Sequence, residues 1–177
     1  MEKLNSDFGK ERDARMKNGE IQELNGELNR LWKMQDSLYH RYAAHWGLSD
    51  TAFWILYELC AGDEVYTQNR LAEMWPLPRQ SINSAVGALV RAGYIVLEQL
   101  AMARNNKALR LTEAGTAFCR QVIYPFYEME ERVLSGMTGE ERRIFLELST
   151  RQCELLRQEV EGCIRSTDSH PKLGGSR

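Results

Sequence analysis

The densest run of small hydrogen-bonding side chains lies between Arg79 and Arg91, RQSINSAVGALVR. At about 100° per residue, Gln80, Ser84, Gly87 and Arg91 fall on one side of a helix, flanked by Ser81 and Asn83. Ile82, Val86, Leu89 and Val90 fall on the other side and are expected to pack inward. The outer side therefore offers amide and hydroxyl donors and acceptors with little bulk, between two arginines. Gly87 costs such a helix about 0.5–1 kcal/mol relative to alanine, a loss that close approach to another surface would explain. This is chemistry for recognition rather than bond making. Ser81 and Cys60 lack an identifiable base, and no phosphate-cradling glycine loop, paired-carboxylate motif or nucleophile elbow occurs, so no enzyme is expected.

The neighbouring segments hold this helix in a recognisable order. Pro78 suits the first helical position and Gly93 the position just past the end. Before it, Thr67 caps a shorter helix, QNRLAEMW, with Leu71 and Met74 available for a core and Pro76 ending it. The stiff link MWPLP then fixes one helix against the next. After Gly93, YIVLEQL and KALRLT alternate around Asn105 and Asn106, predicting a hairpin with Ile95, Leu97, Leu109 and Leu111 inward. Val65 and Tyr66 are expected to add a short third strand. Two helices, a tight turn and a two-stranded ribbon make a winged helix-turn-helix, which presents its second helix to the major groove of DNA. On this reading Gln80, Ser81, Asn83 and Ser84 meet base edges or nearby backbone, and Arg79, Arg91 and Gln68 meet phosphates. Arg104, Asn105 and Lys107 sit at the ribbon tip, where arginine favours an adjacent minor groove.

Charge distribution agrees with that assignment better than the total does. The chain of 177 residues carries a net charge of −2, but residues 67–112 hold six basic and two acidic side chains, +4, leaving −6 elsewhere. A basic segment in an acidic chain fits polyanion contact through one surface. With 43% hydrophobic and 27% charged residues, the chain can bury a core. No apolar stretch reaches membrane-spanning length and the N-terminus is charged, so a cytoplasmic protein is expected. Cys60, Cys119, Cys153 and Cys163 have no metal-ligand spacing and are expected to be small buried apolar residues, with thiol redox sensing the alternative. His40 and His45 are five apart, on different sides of a helix, and make poor ligands with His170. No metal or other cofactor is expected.

The remaining residues look like scaffold. Residues 1–20 alternate charges and are expected to form a flexible, frayed or solvated helical extension. From Ile21, the steps Leu24, Leu28, Leu31, Met34, Leu38 and Tyr42 predict one long amphipathic helix over 21–48. The winged helix-turn-helix occupies 49–112, opening on a nearly apolar helix capped by Ser49. Over 113–164, Phe118, Val122, Phe126, Met129 and Val133 line one helix, bent or broken at Pro125. Thr138 and Glu141 then form a capping box for a second helix, with Ile144, Leu148, Leu155, Val160 and Ile164 on its stripe. Residues 165–177 are expected to be disordered. The unsatisfied stripes at both ends suit a homodimer, which would place two reading helices in major grooves one turn apart on a pseudo-palindromic site. Tyr39, Tyr42, Trp46, Phe53, Trp54 and Tyr57 cluster at the scaffold junction, either as ordinary core or as the lining of a pocket for a small aromatic ligand.

The order helix, helix, TQNRLAEMW, LPRQSINSAVGALVRAGYI, hairpin, ALRLTEAG and two closing helices resembles the MarR family of bacterial winged helix-turn-helix transcriptional regulators. The resemblance covers about residues 25–163 and is strongest from the second helix of the motif to LTEAG. It implies a mainly α fold with a small β-wing and a homodimer joined by its N- and C-terminal helices. It also implies a repressor that reads DNA through Gln80 to Arg91, carries a minor-groove arginine at Arg104, and is released by small aromatic molecules or cysteine oxidation. The chain departs from the family pattern at Ala103, where an acidic residue usually precedes the wing arginine, and at Ser84, where many members carry arginine. It has no cysteine near the start of the first long helix, so peroxide sensing is not implied. The alternative to a DNA-binding regulator is a winged-helix adaptor whose polar helix face docks a protein.

Overall fold

The fold, obtained as a computed structural model, is described for residues 2–62, 64–75, 77–100 and 107–167, with side chains from residue 19 to 166. Six helices and one hairpin follow in the order α1 (Glu2–His45), α2 (Asp50–Ala61), α3 (Gln68–Met74), α4 (Arg79–Arg91), β1 (Ile95–Gln99), β2 (Lys107–Leu111), α5 (Glu113–Ser135) and α6 (Gly139–Thr167). The mainly helical fold with a small β-wing is as expected. Two units are distinguished, Met1–Tyr124 and Pro125–Arg177.

In the first unit, α4 packs on α2 and α3, and its end on β1, while α2 and α3 also meet β2. Phe53, Ile55 and Leu56 of α2, Leu71 of α3, and Ile82, Val86 and Leu89 of α4 are buried with Ile95 and Leu109 of the hairpin. These side chains share faces at helical and strand periods, so one apolar cluster fixes all five elements. Val90 departs from the expected inward set and is 38% exposed, while Ala85 is buried in its place. Around the helix, Ala85 and Val90 lie about 40° beyond opposite edges of the arc of Ile82, Leu89 and Val86, and the core covers the Ala85 side.

Capping residues set the helix starts. Ser49 Oγ accepts from the Ala52 N–H at 3.2 Å, and Thr67 Oγ1 from the Arg70 N–H at 3.1 Å. Pro78, expected at the first helical position, stands one place earlier as the cap. The hairpin pairs Ile95 with Leu111, Leu97 with Leu109 and Gln99 with Lys107. The third strand expected at Val65 and Tyr66 is reduced to a bridge between Thr67 and Ala108, with the Leu109 N–H donating to the Tyr66 carbonyl at 2.9 Å. The chain enters α3 immediately after this bridge, which leaves no length for a longer strand.

A compact knot joins α4, the wing and α5. Gly93, at φ +76°, closes α4: its N–H donates to the Val90 carbonyl and the Tyr94 N–H to the Leu89 carbonyl, both at 3.0 Å. This is a Schellman ending, which favours glycine because of the left-handed backbone. The Thr112 N–H donates to the Tyr94 carbonyl at 3.0 Å, and the Thr112 hydroxyl to the Gly93 carbonyl at 2.6 Å. The same hydroxyl accepts from the Gly115 N–H at 2.9 Å and so starts α5. The Tyr94 ring stacks on Phe118 with centroids 4.2 Å apart.

The charged extension expected over residues 1–20 is continuous with the long helix, α1 running from Glu2 with no proline to interrupt it. α5 likewise continues through Pro125 rather than breaking there. In the first unit the Tyr42 hydroxyl donates to the Val122 carbonyl of α5 at 2.8 Å. In the second unit, Thr138 and Glu141 form the expected capping box, each accepting from the other's backbone N–H. These hydrogen bonds hold the Glu141 carboxyl below its ordinary range. α6 extends to Thr167, past the expected end at residue 164. The rest of the expected tail lies outside the described residues.

Gly115 is the position in the knot that tolerates no side chain, since a Cβ there would collide with the backbone carbonyl of Tyr94. Gly115→Ala is expected to lower stability by about 1–3 kcal/mol, the usual cost of overpacking. Thermal or denaturant unfolding checks this, and an unchanged midpoint would show that the α5 start yields easily.

Candidate nucleic-acid interface

α4 turns its apolar arc into the core and leaves Arg79, Gln80, Asn83, Ser84 and Arg91 exposed. Ser81 and Gly87 are half-buried at the borders of that outer face. The helix thus separates packing from recognition along its whole length. Arg91 reaches back over Gly87: a Cβ at Gly87 would lie 3.3 Å from Arg91 Nη1.

Two side-chain hydrogen bonds connect α3 to the start of α4. Gln68 Nε2 donates to Asn83 Oδ1 at 3.0 Å, and Arg79 Nη1 donates to Asn69 Oδ1 at 3.4 Å. Gln68 therefore meets Asn83, a pairing absent from the sequence reading, which treats the two separately. Asn69 was not among the expected site residues either. Its position directly after Gln68 at a capped helix start is the signal that could have included it.

Pairing decides which cations remain available. Arg70 meets Glu64 at 3.0 Å and Arg110 meets Glu98 across the hairpin at 3.3 Å. Arg79, Arg91 and Lys107 have no carboxylate partner among the described residues. Lys107 is exposed at the first position of β2. Arg104 and Asn105, the other expected wing-tip residues, lie outside the described residues.

The capped α3, the exposed polar α4 and the first strand of the hairpin fall within a segment with known relatives. Residues 46–104 match the sequence model of the MarR family. This segment is similar to the MarR family. No curated protein matches the sequence. Among solved structures, a MarR family regulator from Neisseria meningitidis superposes with a TM-score of 0.63 at 22% identity, covering 77% of this chain and 95% of that one. A MarR family transcriptional regulator from Listeria monocytogenes, complexed with a 26-mer DNA, gives 0.63 at 18% identity, covering 82% and 95%. MepR of Staphylococcus aureus, in complex with DNA, gives 0.61 at 20% identity, covering 74% and 96%.

The aromatic residues expected at the junction are arranged within this MarR-type winged-helix fold as a chain of edge contacts. Tyr39 meets Trp54 at 5.4 Å, Tyr42 meets Phe53 at 5.9 Å, and Trp54 meets Tyr57 at 5.1 Å. Phe53 is fully buried and bridges to Trp54 at 5.2 Å. Trp46 faces another group: it meets Phe118 edge-on at 6.4 Å, and Phe118 carries Tyr94. Phe118 and Tyr94 were thus missing from the expected cluster, since their approach joins residues distant in sequence. Trp46 Nε1 is buried without a hydrogen-bond partner among the described residues.

The cysteines differ from the expectation of four buried residues. Cys119 is buried and Cys60 half-buried, whereas Cys153 and Cys163 are exposed on α6. Those two fall outside any face that α6 buries by itself. Cys60 and Cys119 meet through their thiols: this contact, reinforced by burial, pushes Cys60 up, while it holds Cys119 below its ordinary range against the opposing effect of burial. His40 Nδ1 lies 2.9 Å from Asp50 Oδ1, tying α1 to the start of α2. Among the described residues, no cluster of three metal-ligating side chains is found and no helix is long and apolar enough to cross a membrane.

The Gly87 backbone is ordinary helix, and the neighbouring atom that would meet a new methyl group is the mobile end of an exposed arginine. Gly87→Ala is therefore expected to raise stability by about 0.5–1 kcal/mol, with Arg91 swinging aside. A lower thermal midpoint would show instead that Arg91 is held over the glycine.

Proposed function

We propose that this chain is a sequence-specific DNA-binding transcriptional regulator, acting as a homodimeric repressor on a pseudo-palindromic operator. The observation that carries this reading is the outer face of α4, where amides, a serine hydroxyl and arginines without carboxylate partners among the described residues project from a firmly packed helix. In this assignment Gln80, Ser81, Asn83 and Ser84 meet base edges or adjoining backbone. Arg79, Arg91 and Gln68 meet phosphates, and Lys107 with Arg104 and Asn105 extends the contact along the wing. The solved DNA complexes of the Listeria and Staphylococcus proteins, which have this fold, support the same use of it here.

Exposed apolar stripes support the homodimer. Ile21, Leu24, Leu31 and Leu38 lie open on α1, and Ile144, Leu148, Leu155, Val160 and Ile164 on α6. Fully burying one such side chain contributes about 1.5–3 kcal/mol, so covering these half-exposed stripes against a second copy can offset the cost of association. Two copies related by a two-fold axis would read half-sites about 34–36 Å apart. Support for a small aromatic effector at the junction comes from Trp46 Nε1, a buried donor beside Phe118 without a hydrogen-bond partner among the described residues. Such a ligand would supply the missing acceptor and a ring for stacking.

The deciding experiment is selection of genomic fragments on the purified protein at near-physiological salt, with sequencing of what is retained. Enrichment of an inverted repeat and a steep fall in affinity with salt are expected. Retention no better than random, with a flat salt response, would replace this reading by the protein-docking adaptor. On the recovered site, Arg104→Ala is expected to weaken binding about tenfold while sedimentation still reports a dimer. Unchanged affinity would remove the wing from the contact.

A further inference from the structure

The two hydrogen bonds between α3 and α4 have a direction as well as a location. Gln68 and Asn69 follow the cap Thr67, whose hydroxyl holds the Arg70 N–H, and Leu71 below them is fully buried. Their backbone is therefore anchored on both sides. Gln68 is half-buried, whereas Asn83 is exposed at the border of the outer face of α4. In the pair, Gln68 is the mount and Asn83 the presented group.

An amide accepts at one end and donates at the other. Bidentate contact with adenine needs both ends of Asn83 in one plane, Oδ1 taking the N6–H and Nδ2 giving to N7. Gln68 Nε2 already donates to Asn83 Oδ1 at 3.0 Å, so the acceptor end points toward α3. The end left for another surface is Nδ2, with two hydrogens to give. The base edge complementary to it carries acceptors, and guanine offers two in the major groove, O6 and N7. The second strap, Arg79 to Asn69 at 3.4 Å, keeps the neighbouring guanidinium against the same turn and limits the room for the Asn83 amide to swing that way.

We infer that Gln68 is a positioning residue that fixes the polarity of the Asn83 amide, so that the pair reads the acceptor edge of guanine rather than adenine. This rests on the DNA-binding function proposed above, and it assigns to Gln68 a part in specificity beyond a phosphate contact. Replacing Gln68 by glutamate removes the donor and supplies an acceptor. Asn83 must then turn Nδ2 toward residue 68 and present Oδ1, which suits a base bearing an exocyclic amine.

The test is selection from randomised duplexes with the full chain and its Asn83→Ala, Gln68→Ala and Gln68→Glu variants, each checked by thermal unfolding. The position whose preference disappears in Asn83→Ala is expected to be guanine in the unaltered protein, by about fivefold or more over adenine. Gln68→Ala is expected to flatten that preference, and Gln68→Glu to move it to adenine or cytosine, while preferences at other positions stay as they were. Glutamate near phosphates weakens binding overall, so the readout is the base ratio rather than affinity. An adenine preference in the unaltered protein, no position sensitive to Asn83, or a position unmoved by both Gln68 variants would overturn the inference and leave the regulator standing. Failure of the unaltered protein to enrich any sequence would overturn both.

Discussion

The hydroxyl of Thr112 is the point on which the winged-helix part of the chain depends. It donates to the Gly93 carbonyl at the end of α4 and accepts from the Gly115 N–H at the start of α5. One small side chain thereby satisfies groups at two helix termini that would otherwise lack partners. Between those termini runs the hairpin, whose last residues are held by the Tyr94 carbonyl and the Thr112 N–H. Angular error at this junction would be carried along α4 and along the wing. The absence of a Cβ at Gly115 lets the two backbones approach closely enough to suppress it. A recognition surface needs its polar groups held within a fraction of an ångström, and this knot supplies the support from behind.

Local chemistry explains which parts of the fold were readable beforehand. Thr67, Ser49, Gly93 and the Thr138–Glu141 pair act within a few residues of themselves, and each does what its type and spacing imply. The inward residues of α4 were legible for the same reason, except at the border, where Ala85 and Val90 exchange roles because a 100° step cannot resolve the edge of an arc. The site was half legible. The exposed face of α4 follows from periodicity, but the bond from Gln68 to Asn83 depends on how two helices cross, and nothing periodic records that. The meeting of Cys60 with Cys119 and of Trp46 with Phe118 is hidden in the same way. Alternating charge over residues 2–20 marks solvation and does not by itself end a helix, and α1 runs through it.

Net charge is a poor guide to where a polyanion would be met, and the ion pairs show why. On α6, Arg143 lies between Glu140 and Glu147, and Arg157 between Glu154 and Glu161. Exposed pairs of this kind contribute little to stability, about 0–1 kcal/mol each. Their larger effect is on the field, because each arginine is cancelled on its own helix face before any distant charge can feel it. Arg70 and Arg110 are cancelled likewise in the winged helix. Arg79 and Arg91 lie at the two ends of a helix whose sequence, RQSINSAVGALVR, contains no acidic residue at all. Among the described residues neither has a carboxylate partner, so the outer face of α4 keeps positive charge within an acidic chain. Association of this face with a phosphate backbone would depend on these local cations rather than on the sum over all 177 residues.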